Sequence, residues 1–103
     1  MIRIELKRSG GELRWVRITG HADAGPKGHD LVCAAISSIA TGALNALHHT
    51  HAHATSLLHE TTPALIQIEV TQPSKTLNQV LEFLLIQLQT VAEAHPKHVH
   101  IKE

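Results

Sequence analysis

Residues 2–8 read Ile, Arg, Ile, Glu, Leu, Lys, Arg, an apolar and charged alternation with a period of two. That period constrains the fold more than any other feature. Only an extended strand puts Ile2, Ile4 and Leu6 on one face and their charged neighbours on the other. Ser9-Gly10-Gly11 supplies turn chemistry, and residues 13–20 return as a second strand, so the chain opens with a hairpin. Within that second strand the apolar parity changes, from Leu13 and Trp15 to Val16 and Ile18. A bulge, or a sheet covered on both faces, accounts for such a switch.

The period then lengthens. Asp30 stands in N-cap position before residues 31–47, where Val32, Ile36, Ile39, Ala40, Ala43 and Leu47 recur at helical spacing. The many alanines predict close packing of this helix on a sheet. His48-His49-Thr50-His51-Ala52-His53 is expected to end it and enter a turn. Residues 55–60 and 65–71 read as two further strands around Thr61-Thr62-Pro63. A second helix follows over residues 75–94, with Leu77, Leu81, Leu84, Leu88 and Val91 on one face. Phe83, Leu85 and Ile86 fall outside that stripe, which makes the helix apolar over more than half its circumference; it is either sandwiched in the fold or meets another subunit. His95-Pro96 stops it, and residues 98–102 form a short last strand. The order β-β-α-β-β-α-β predicts an α+β fold, a two-layer domain with two helices packed on a small mixed sheet. At 103 residues, the chain 1–103 is expected to be a single domain.

Composition narrows the function. Nine Lys and Arg balance nine Asp and Glu, and the chain has one Trp, one Phe and no Tyr. Direct nucleic-acid binding calls for a basic excess and stacking aromatics, and neither is present. The alternating N-terminus lacks the continuous apolar core of a signal peptide, and no stretch is read as approaching the ~20 apolar residues of a membrane span. A single cysteine excludes an intramolecular disulfide and fits a reducing compartment. The expectation is a cytoplasmic protein with no membrane partner.

That cysteine, Cys33, is the candidate for chemistry. With Asp30 as N-cap it falls in the first helical turn, where the helix dipole favours thiolate over thiol. His21 ends the second strand, eleven residues before it, across a loop containing Gly25, Pro26 and Gly28. Strand end and helix start can converge at one rim of a two-layer domain, and the loop is long enough to move over a bound peptide. Asp30 has two competing roles: capping the helix through the amide of Val32 or Cys33, or orienting an imidazole. Ser37, one helical turn beyond Cys33, can bond His21, the thiolate, the substrate or its own helix backbone. Against catalysis, a lone cysteine in an alanine-rich helix is usually a small buried apolar residue, and His21 can be a strand-end histidine satisfied by backbone.

Gly20-His21-Ala22, then Gly28-x-Asp30-Leu31-Val32-Cys33-Ala34-Ala35-x-Ser37, closely resembles the signature of the ribosomal-processing cysteine protease family, Prp, in residue types, order and spacing. Thr41, Asn45, the second helix and the closing His95-Pro96-x-His98-Val99-x-Ile101 extend the similarity over nearly the whole chain. The resemblance implies a cysteine endopeptidase that removes a short N-terminal extension from bacterial large-subunit ribosomal protein twenty-seven. It implies Cys33 and His21 as the catalytic pair, Asp30 and Ser37 as supporting residues, a homodimer, and no cofactor. Gly25-Pro26-Lys27, His29 and the histidine-rich stretch depart from the family pattern.

Two rival functions use other features. His49, His51 and His53 alternate, and on an extended segment would face one side, as Zn²⁺ or Ni²⁺ binding requires. No Cys or carboxylate is close by in sequence, so a solvated surface cluster is preferred and no metal ligands are assigned. The other rival is a non-catalytic, ribosome-associated peptide-binding module, distinguished by a slow-labelling Cys33.

Overall fold

The N-terminal alternation is realised as a hairpin of β1 (Ile2–Ser9) and β2 (Glu12–Gly20), turned at Gly10 and Gly11 with φ of 59° and 83°. A computed structural model describes residues 1–21, Gly25 and 30–103. After the hairpin come α1 (Leu31–Thr50), a single 3₁₀ turn at Ala52–Ala54, β3 (Thr55–Thr61), β4 (Ala64–Val70), α2 (Lys75–Ala94) and β5 (Val99–Lys102). The five strands form one mixed sheet in the order β3-β4-β2-β1-β5, antiparallel except for the β1–β5 pair. The α+β order expected from the sequence is the order observed.

Alternation decides which face each strand buries. Ile2, Ile4 and Leu6 of β1, Val16 and Ile18 of β2, and Ile66 and Ile68 of β4 all point into the core. Val32, Ile36, Ala40 and Leu47 of α1 close over them with Leu77, Leu81, Leu84, Leu85 and Leu88 of α2. The parity change in β2 is a bulge. Lys7 pairs with Trp15 but Arg8 pairs with Leu13, so Arg14 is the extra residue. Leu13 and Val16 therefore both face the core, and Trp15 stays on the outer face beneath the Arg17 guanidinium, 4.8 Å from its ring centre. At the turn end of the hairpin, Arg8 reaches over the core edge to the Glu82 carboxylate on α2, and also to Glu103 at 3.2 Å. These two acidic partners hold the Arg8 guanidinium pKa above its ordinary value, the Glu82 hydrogen bond foremost.

Three expectations need correction. Leu85 is 2% exposed and belongs to the core, whereas Phe83 and Ile86 remain on the surface. The first helix does not stop at Leu47: it runs to Thr50, whose hydroxyl donates to the Ala46 carbonyl. His49 is thus helical, His51 caps the helix and His53 sits in the 3₁₀ turn, so the three are not an extended row; His51 and His53 stack at 6.4 Å. Among the described residues no three His, Cys, Asp or Glu side chains gather as a metal site would need. Finally, the lengthened α1, at 20 residues, is long and apolar enough by composition to cross a membrane. Its Leu, Ile and Val residues, with the alanines between them, make it so, and in this fold the helix lies on the sheet through Val32, Ile36, Ala40 and Leu47.

Candidate active site

β2 and β3 both run antiparallel to β4, so Gly20 and Thr61 finish at the same end of the sheet. The α1 exit lies at the other end, where the Thr71 amide donates to Ala54. The start of α1 therefore hangs over the Gly20–Thr61 end. There the sheet floor drops, because Gly20 and Ala64 carry little or no side chain. The result is a cleft of about 270 Å³ between the first half of α1 and the β3–β4 hairpin.

His21 and Cys33 line this one cleft. His21 is exposed at the end of β2, and Cys33 is half-buried with its neighbours Val32 and Ile36 in the core. What fixes His21 is Gly20. Its φ of 85° turns the strand end, and a Cβ there would overlap the Met1 carbonyl oxygen. Only glycine fits both conditions.

Asp30 takes up the capping role. Its carboxylate accepts from the Cys33 amide at 2.9 Å, and the Ala34 amide begins the helix ladder by donating to the Asp30 carbonyl at 3.0 Å. Of the first-turn amides, those of Leu31 and Val32 carry no hydrogen bond among the described residues, and Leu31 is 81% exposed. Replacing Asp30 by Ala is expected to cost about 1 kcal/mol through the lost cap. Thermal denaturation should register this as a midpoint lowered by about 5 °C.

Ser37 lies on the same helix face as Cys33 and also lines the cleft, with an exposed side chain. The Thr41 hydroxyl, one turn further, donates back to the Ser37 carbonyl at 2.6 Å. Of the two loop glycines, Gly25 is an exposed bend. Gly28, and with it the idea of a loop moving over a peptide, lies outside the described residues. The sequence reading missed the far wall, where His59 and Thr61 of β3 line the cleft. Their signal was available in principle. Pairing the strands tightly across Thr62-Pro63 puts Thr61 opposite Ala64 and His59 opposite Ile66.

A half-buried thiol at a capped helix start, an imidazole at the adjoining strand end and an open cleft between them form an arrangement suited to acyl transfer. Known proteins are similar to this one over nearly the whole chain. The "Ribosomal processing cysteine protease Prp" of Mycoplasma pneumoniae is 31% identical over 85 residues, covering 82% of each chain. A crystal structure of the essential ribosomal processing protease Prp of Staphylococcus aureus, in complex with a covalently linked product peptide, superposes with a TM-score of 0.89. It is 25% identical and covers 99% of this chain and 98% of its own. The same protease with a substrate peptide superposes at 0.79, with the same identity and coverage. Residues 1–100 match the sequence family described as "Cysteine protease Prp", and the chain belongs to that family.

Proposed function

We propose that this chain is a cysteine endopeptidase in which Cys33 is the nucleophile and His21 its acid–base partner. Its substrate on this reading is the N-terminal extension of large-subunit ribosomal protein twenty-seven, removed in the cytoplasm as ribosomes mature. The observation that carries the reading is the presence of Cys33 and His21 on one open cleft.

The chemistry follows from the local geometry. The first-turn position stabilises the Cys33 thiolate, which attacks the scissile carbonyl carbon. Because Asp30 holds the Cys33 amide, the oxyanion falls to the amides of Leu31 and Val32. His21, protonated while the thiolate forms, gives its proton to the leaving amine as the C–N bond breaks. It then takes a proton from water, which attacks the thioester, releases the second product and returns the sulfur. The covalently linked product peptide in the Staphylococcus aureus relative accords with an acyl intermediate of this kind.

Assembly as a homodimer is part of the same reading. Phe83 and Ile86 stand 67% and 56% exposed on α2, and Phe83 borders an apolar groove with Gly42, Ala43 and Ala46 of α1. Such a patch is the sort that a second subunit covers.

The direct test mixes the purified chain with the full-length ribosomal precursor from the same genome. Mass spectrometry should find one cut close to the precursor's N-terminus and no other. A precursor that stays intact, or is cut at scattered sites, removes this substrate from the proposal.

A further inference from the structure

The far wall of the cleft carries an imidazole that the bond-breaking steps leave unused. His59 pairs with Ile66, and Ile66 pairs with Ile18. Directly opposed residues of antiparallel strands share a sheet face. Ile18 and Ile66 are buried beneath the helices, so His59 leaves the sheet on the helix side, towards α1. It lines the same cleft as Cys33, Ser37 and Thr41.

Those three α1 residues are spaced by four and lie along one helix face. From Cys33 to Thr41 the helix advances about 12 Å, the length of three to four residues of extended peptide. β3 runs towards the end of the sheet over which α1 starts and finishes at Thr61, so His59 stands two residues back from that end, further along the cleft.

Between these walls the floor is apolar, made by Ile18, Ile36 and Ile66. At its inner end the Thr41 hydroxyl proton is committed to the Ser37 carbonyl, whereas the His59 ring holds no hydrogen bond among the described residues. Of the described titratable groups, His21, Cys33 and Glu60 also line the cleft; Glu60 is the next residue on the strand and so takes the opposite facing.

We propose that His59 is a specificity-determining residue, reading one peptide side chain within about four residues of the scissile bond. It selects an apolar stem ending in a carboxamide. This rests on Cys33 being the nucleophile. A neutral imidazole offers one donor and one acceptor, and a carboxamide returns both. An all-carbon side chain would strip water from the ring without replacing its partners.

A defined mixture of synthetic tetradecapeptides, with cut sites read by mass spectrometry, tests this for the unsubstituted chain, His59→Leu and His59→Asn. His59 is exposed, so both variants should fold. The unsubstituted chain should prefer Gln or Asn over norleucine at one position by about tenfold, one hydrogen bond's worth. His59→Leu should lose the amide preference. His59→Asn, whose own carboxamide offers a donor and an acceptor, should keep it. Identical selectivity in all three proteins overturns the role of His59 and leaves the protease reading standing. A mixture left uncut by the unsubstituted chain overturns both.

Discussion

Replacing Cys33 by Ala should abolish precursor cleavage, by at least about 10⁴-fold in kcat/KM, as happens when a covalent nucleophile is removed. The fold should hardly notice. Cys33 is only half-buried, and trading a thiol for a methyl there should change stability by less than about 1 kcal/mol. The rival view of Cys33, as an apolar residue at the edge of the core, predicts the opposite pattern: a small loss of stability and full activity. Measuring cleavage and the thermal midpoint on the same preparation separates the two, and a Cys33→Ala protein that still cuts the precursor ends the proteolytic account. Iodoacetamide labelling at pH 6 offers a second check, since a dipole-assisted thiolate labels quickly and a structural thiol slowly.

The second large effect belongs to Gly20, which touches no substrate in the proposed reaction. Gly20→Ala is expected to destabilise the fold by about 2–4 kcal/mol, because a Cβ is both disfavoured at φ of 85° and driven into the Met1 carbonyl. For a domain of this size the thermal midpoint should fall by about 10–20 °C. Gly10 provides the control. It too has a positive φ, of 59°, but a Cβ there meets nothing within 4 Å. Gly10→Ala should therefore cost only the conformational part, about 1 kcal/mol. Equal losses at the two glycines would show that the contact with Met1 contributes nothing. Any Gly20→Ala protein that folds should also cut poorly at low temperature, since His21 hangs from the displaced residue.

Features governed by local sequence were legible in advance. The bounds of α2 follow from Ser74 capping the Leu77 amide at 3.1 Å and from His95-Pro96 stopping the helix. Asp30 was visible as a cap because a carboxylate just before an apolar helical run has few better uses. The last turn of α1 was less visible, since two histidines and a threonine have only middling helix propensity. What carries the helix on is the Thr50 hydroxyl bond to Ala46, together with the His51 amide returning to Leu47. Whether Cys33 faced the core or a cleft depended on strands distant in the chain. His59 and Thr61 come from the second hairpin, and their facing is set by the β3–β4 register, which no local pattern displays. The burial of Leu85 has a similar origin, because a helix lying across a sheet hides a wider arc than one stripe.

The extra residue in β2 makes the strand unusually forgiving of length change at one point. Deleting Arg14 would let Leu13, Trp15, Val16, Arg17 and Ile18 pair without interruption, each keeping the side of the sheet it now has. Deleting any residue from Val16 onward would instead swap everything on one side of the gap between oil and water. Natural shortening of this strand should therefore be absorbed at Arg14, leaving the reach from Val16 to His21 at a fixed length.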